Sequence, residues 1–149
     1  MLAALSEWIQ GPVAVQIAAT GAGLTPESVR GFGVRIDDDR LSVALVDAQA
    51  PRLLQALRDS QRVAVNLTHP LTFHGRQFKG PLVELQEPSD DAAAAARDYF
   101  ARFTAVLGKL GLTPEQCRGM FFTGPTRWVC LRPLEQFNQS PGADAGARL

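Results

Sequence analysis

The 149-residue chain is poor in the residues that usually build special chemistry. Its two cysteines, Cys117 and Cys130, show no C-x-x-C spacing and have no histidine near them, so neither a disulfide framework nor a zinc site can be built on them. Lysine is almost absent: Lys79 and Lys109 are the only two, and the remaining basic residues are arginines. Neither sign of charge prevails, with 15 Lys+Arg against 15 Asp+Glu, which removes any general pull toward nucleic acid or anionic membrane. No apolar run approaches the roughly 18 residues that a membrane helix needs. Glu7 and the lack of a basic stretch make the first eleven residues a poor secretory signal. The expectation is a soluble protein of the reducing cytoplasm.

Against these shortages, 46% of the residues are hydrophobic and 20% charged, enough apolar side chain for one ordinary domain over 1–149. Leu2, Leu5, Trp8 and Ile9 recur at helical spacing over 2–10, and Gly11-Pro12 stops that helix. Residues 13–19 read as a strand closed by the turn chemistry of Thr20-Gly-Ala-Gly23, and 28–36 as a second strand thinned by Gly31 and Gly33. Asp37-Asp-Asp39 connects it to a third at 41–46, giving a hairpin. Leu53, Leu54 and Leu57 then form a helical stripe behind Pro51. Strands follow at 62–68 and 76–85, the latter interrupted by Gly80-Pro81. Ser89 offers an N-cap to the longest helix, with Asp90 and Asp91 in its first turn and an apolar face running to Gly111. A last strand reads at 127–132, Met120 to Phe122 have no clear place, and the polar tail 136–149 reads as frayed. Short strands joined by tight turns, with two helices of any length, argue for an α+β fold: an antiparallel split barrel or sandwich of about six strands with flanking helices.

Several chemistries lack their residues. There is no nucleophile elbow, Walker loop or H-E-x-x-H, and Gly31-Phe-Gly33 has neither the third glycine nor the following helix of a dinucleotide fingerprint. His69 and His74 share one connection, where they read either as polar loop residues or as a haem ligand, metal pair or proton donor. Arg30 and Arg35, five apart on one strand, point to opposite faces unless Gly31 or Gly33 introduces a bulge. Arg52 lies in the first turn of the second helix, where arginines aimed at the helix N-terminus would make a phosphate socket. The alternative for each is a solvated surface charge.

From Val29 to Leu85 the chain resembles the flavin-binding split-barrel superfamily typified by pyridoxamine 5'-phosphate oxidase. Arg30-Gly-Phe-Gly-Val-Arg35 matches the family's R-x-x-x-x-K strand, Pro51-Arg52-Leu53 stands where the family has S-R-K, and Gln61-Arg-Val-Ala-Val65 follows the P-R-V-x-L pattern. Arg76-Gln-Phe-Lys-Gly80 matches the strand whose glutamine bonds the isoalloxazine ring. Trp8-Ile-Gln-Gly-Pro-Val13 and Phe137-Asn-Gln-Ser-Pro-Gly-Ala-Asp-Ala-Gly146 resemble the opening and closing segments of small members of the same superfamily. The resemblance implies a homodimer with flavin mononucleotide (FMN) at its interface, a phosphate clamp of Arg30, Arg35 and Arg52, and ring contacts from Gln77 and Lys79. It also implies a tail that packs on the partner subunit. Of S-R-K only the arginine remains, and the family's strand lysine is Arg35. The pyridoxal phosphate-binding residues have no counterpart, so pyridoxamine phosphate oxidation is not expected. Three readings follow: an FMN-dependent oxidoreductase, a split barrel that binds haem through His69 or His74 or binds a deazaflavin, and a cofactor-free dimeric binding module.

Overall fold

After Gly11-Pro12 burial alternates residue by residue through β1 (Ala14–Thr20), with Val15, Ile17 and Ala19 inward and Gln16 outward. The computed structural model describes residues 2–149, and this inside–outside alternation organises most of it. β2 (Pro26–Gly31) pairs antiparallel with one side of β1 and β5 (Arg62–Thr68) with the other, and β6 (Gly75–Leu85) pairs with β5. Beyond Pro81, β6 leaves β5 and pairs through Leu82–Leu85 with β7 (Thr126–Leu131), which pairs in turn with β4 (Arg40–Val46). β3 (Val34–Asp37) completes the hairpin with β4. Phe32 N–H donates to the Ala44 carbonyl and Ala44 N–H to the Gly33 carbonyl, at 2.8 and 3.0 Å, which closes the circuit between β2 and β4. The barrel is thus a ring of six strands, β1-β2-β4-β7-β6-β5. β3 prolongs β2 beyond a break, and β8 (Glu135–Asn138) pairs with β6, which makes eight strands where about six were expected.

Two glycines let the ring close. A Cβ on Gly31 would run into the Val43 and Val15 side chains inside the barrel. A Cβ on Gly80 would strike the Arg132 carbonyl, because the chain turns from one sheet to the other there. The pair Phe32–Gly33 opposite the single residue Ala44 is a β-bulge, with Gly33 at φ +123°. It resets the alternation. Arg30 projects outward from β2, and five residues later Arg35 also projects outward, from β3, instead of into the core.

Helices cover part of this barrel. The N-terminal helix over 2–10 is realised as a single 3₁₀ turn followed by the four-residue α1 (Ser6–Ile9), with Ile9 fully buried. α2 (Pro51–Ser60) starts with proline in its first turn and packs Leu53, Leu54, Ala56 and Leu57 against β1 and β2. α3 (Asp90–Gly108) starts where Ser89 accepts the Ala92 N–H at 3.1 Å. It lays Ala92, Ala96, Tyr99, Phe103 and Leu107 on β7 and β4. The Tyr99 hydroxyl donates to the Val13 carbonyl at 2.7 Å, and burial pushes its phenol up. A second short helix, α4 (Pro114–Arg118), occupies sequence that had no assignment; Thr113 and Gln116 form its capping box.

The tail corrects its reading as frayed. Residues 135–138 are β8, and the chain then turns back so that Asn138 N–H donates to the Ala147 carbonyl and Leu149 N–H to Gln136. Edge groups of β8 are therefore paired within the chain. Among the described residues no helix is long and apolar enough to cross a membrane.

Candidate functional site

Strand register brings distant residues into rows on the outer face of β2, β1, β5, β6 and β8. Arg30 pairs with Gln16, Gln16 with Asn66, Asn66 with Gln77, and Gln77 with Phe137. Paired residues project to the same face, so one line runs Arg30–Gln16–Asn66–Gln77–Phe137. The next row runs Ser28–Ala18–Ala64–Lys79–Glu135. Gln16 and Ser28 are open to solvent. The result is a bare, polar sheet face holding three amide side chains, one arginine and one lysine.

Lys79 and Gln77 sit side by side on this face because β6 alternates, with Phe78 between them fully buried. The Lys79 ammonium stands 4.7 Å from the centroid of the Phe137 ring. Asn66 Nδ2 donates to the Thr68 hydroxyl at 3.2 Å, and its Oδ1 is enclosed without a hydrogen-bond partner. A ligand N–H could use that orphaned acceptor only if the Asn66 side chain turns outward, since the oxygen is enclosed.

The three arginines do not share a place. Arg30 stands at the border of the open face, where α3 reaches it, its guanidinium 5.9 Å from the Phe103 centroid. Arg35 lies on the other sheet, 4.4 Å from the Trp128 centroid and 3.0 Å from Asp91. Arg52 stands at the start of α2, 3.4 Å from Glu27, with its side chain 84% exposed. Near it a cleft of about 340 Å³ is lined in part by Glu27, Ser28, Gln49 and Arg52. The structure thus brings Arg30, Gln77 and Lys79 onto one face and sends Arg35 elsewhere. The two carboxylates could not be anticipated as partners, because Asp91 is 56 residues from Arg35 and Glu27 sits on a different element from Arg52. Gln16 and Asn66 were also missed. Their signal was present, since both are outward positions of alternating strands, but only the register shows that they line up with Gln77.

These residues suit the ring of a flavin better than its phosphate. The pyrimidine edge of an isoalloxazine offers alternating donors and acceptors, which Gln77 and Asn66 can meet, and Lys79 supplies a cation beside them. For the phosphate, Arg52 is available only by displacing Glu27, an exposed pair worth at most about 1 kcal/mol.

Both histidines lie in the 69–74 connection of the β5–β6 hairpin. His69 Nδ1 accepts the Leu71 N–H at 3.3 Å, and the exposed His74 packs its ring against Trp8, centroids 5.3 Å apart. Neither lines the bare face. Among the described residues no group of three or more His, Cys, Asp or Glu is placed to hold a metal ion.

No protein-family model matches the chain, and no curated protein matches it either. Solved structures do. HupZ of Group A Streptococcus is similar over 98% of this chain and 99% of its own, at 16% identity and a TM-score of 0.58. An F420 reductase is similar over 86% of this chain and 91% of its own, at 13% identity and a TM-score of 0.55. A Clostridium acetobutylicum protein related to general stress protein 26 of B. subtilis, described as of the pyridoxinephosphate oxidase family, is similar over 91% and 83%, at 12% identity and a TM-score of 0.50. The fold is a split barrel. At these identities the likeness is one of fold.

Proposed function

We propose that the chain is a cofactor-binding split barrel that works as a homodimer and takes a flavin-type ring on its bare face, with FMN as the first candidate. The observation that carries this reading is the register-built line Arg30–Gln16–Asn66–Gln77, with Lys79 beside it, on a polar sheet face open to solvent at Gln16. Gln77 and Asn66 hold the ring edge by hydrogen bonds, Lys79 balances negative charge that collects there, and Arg30 reaches toward the ribityl phosphate. When bound, the flavin supplies electron transfer that no side chain of this protein can perform. A second copy laid on the same face would exclude water from the ring; a flat, partly polar sheet is the surface such a partner needs. Oxidoreductase activity follows from this reading, with pyridoxamine phosphate excluded as the expected substrate.

A deazaflavin is the second reading, and the arginines favour it. With Arg35 on Asp91 and Arg52 on Glu27, the grip shifts from phosphate to ring, and the similar fold of an F420 reductase accords with that shift. Haem is the third, through His69 once it releases the Leu71 N–H or through His74 once it leaves Trp8.

The test is to add FMN, riboflavin, a deazaflavin or haem to the purified protein, desalt, and record the visible spectrum. Retained flavin absorption is expected, with FMN and riboflavin bound within about tenfold of each other, since each tenfold corresponds to only about 1.4 kcal/mol of phosphate contact. Gln77→Ala combined with Lys79→Ala should weaken flavin by about 100-fold, two lost ring contacts of about 1.4 kcal/mol each. Protein that stays colourless after every addition would sink the reading and leave the cofactor-free dimer.

A further inference from the structure

At one end of the bare face the sheet is hollowed. Ala18 and Ala64, paired across β1 and β5, expose only their methyl groups and form a floor. Pro26 and Leu24 wall one side, Lys79 and Arg62 the other, and the space enclosed is about 450 Å³. That volume is in the range of small-molecule sites, and its lining is mainly apolar with polar groups at one edge.

The charge at that edge is unbalanced. Glu135 lies opposite Lys79 in register, yet its carboxylate is shared between Arg62 and Arg148, each at 3.9 Å. Three cations therefore face one anion. Lys79 has no ion pair among the described residues, and its ammonium is held beside Phe137 rather than beside a carboxylate. A half-buried cation beside an apolar floor favours an anion that brings its own apolar surface.

The opposite lip is held at a cost. Leu24 is 83% exposed at φ +61°, a conformation that penalises any residue with a Cβ. The turn is locked by Gly21 N–H to the Thr25 carbonyl at 2.7 Å and by Leu24 N–H to the Gly21 carbonyl at 3.2 Å. Strain that sets an isobutyl group at the mouth of a groove, in contact with solvent, has no use in folding.

We infer that this groove binds a small aromatic carboxylate, its ring on the Ala18–Ala64 floor under Leu24 and its carboxylate on Lys79 and Arg62. As a statement about substrate this rests on the cofactor reading, since Lys79 adjoins both the ring row and the groove. As a statement about binding it stands without a cofactor, and the two fail separately.

The experiment titrates 2-naphthoate into ¹⁵N-labelled protein without added cofactor, with 2-naphthamide as the uncharged control. Saturable shifts are expected at the Ala18, Ala64 and Lys79 amides, with a Kd of about 1 mM or tighter and the amide bound at least about tenfold more weakly. Ala64→Phe fills the floor and should abolish the shifts; Arg62→Gln should weaken binding by about tenfold, one charge-assisted contact. Leu24→Gly relieves the backbone and should leave Tm equal or higher while weakening naphthoate by about threefold, so it reports even if Ala64→Phe folds poorly. Absent shifts up to about 10 mM ligand, equal binding of the amide, or full affinity in the Leu24→Gly protein would each overturn the inference. The flavin spectrum, recorded separately, shows whether the cofactor reading stands regardless.

Discussion

α3 roofs β4 and β7, whereas the polar row across β1, β5 and β6 is open to solvent at Gln16 and Ser28. The same residue type behaves differently on the two sides. Under the roof, Arg35 is tied to Asp91 and laid on Trp128, and Trp128 Nε1 donates to the same carboxylate at 2.8 Å. On the open side, Lys79 has the Phe137 ring but no carboxylate as partner among the described residues, and Arg30, at the border, has Phe103 of α3. What decides is the apolar stripe Ala92–Ala96–Tyr99–Phe103–Leu107, which lies on β7 and β4 and reaches toward β1 and β2 only at Tyr99 and Phe103. The covered face completes the core, and its polar groups are satisfied internally. The open face keeps one amide acceptor without a partner, Asn66 Oδ1, and a lysine beside an aromatic ring instead of a carboxylate, which is what recognition needs.

Substitutions on the two faces should therefore read out differently. The largest effect is expected from Tyr99→Ala under the roof. It deletes a side chain that is 2% exposed, loses the stack on Phe103 and strands the Val13 carbonyl, for about 3–5 kcal/mol of stability. Gln77→Ala on the open face should move stability by less than about 0.5 kcal/mol while weakening flavin. Urea unfolding of both proteins measures the contrast, and similar losses from the two would erase it.

Gly33→Ala attacks the element that sends the two arginines to different sheets. Gly33 lies at φ +123°, and an added Cβ would come within 3.3 Å of Tyr99 Cβ. The expected loss is about 1–3 kcal/mol. If the bulge straightens instead, Arg35 must leave Trp128, and the indole fluorescence will change along with the urea midpoint. A variant with parental stability and fluorescence would mean that the bulge is held by something other than Gly33.

Much of the barrel was legible because β1, β3 and β5 alternate, β4 and β7 are short, largely apolar runs, and the turns carry glycine, proline or aspartate. β1, β4, β5 and the two longer helices stand within a few residues of their expected bounds, and the break at Gly80-Pro81 is where β6 changes sheet. The bulge was legible as a condition on the glycines, and only the hydrogen bonds to Ala44 show where it falls. β8 was hidden because Glu135–Asn138 is mostly polar and becomes a strand only by pairing with β6, some sixty residues earlier. α4 was hidden by its length, although Thr113 and Gln116 have the spacing of a capping box. For the site, residue types were legible and partners were not. Nothing local links Arg35 to Asp91 or Gln16 to Arg30 and Asn66, since these depend on which strands and helices meet, whereas Asn66 and Gln77 meet across one hairpin.

Asp91 allows the smallest and most specific test of the roofed side. The helix position alone accounts for an acidic residue in the first turn of α3, where the dipole favours it. The structure gives it a second task, because its Oδ2 takes the Trp128 indole N–H and the Arg35 guanidinium together. The indole hydrogen bond, and after it Arg35, holds its carboxyl below the ordinary value of 3.8. A carboxylate depressed in the folded state stabilises above its unfolded pKa and loses that contribution as pH falls through the folded value. At pH 7 the Asp91→Asn protein should accordingly melt slightly below the parent. The gap should close as the pH is lowered below about 4, where the parent carboxylate takes up its proton. The same substitution leaves Gln77 and Lys79 untouched, so flavin retention should not change. A melting gap that stays constant from pH 7 to about pH 3 would mean that the contribution of Asp91 does not depend on its charge, and would overturn its role as the anion shared by Trp128 and Arg35.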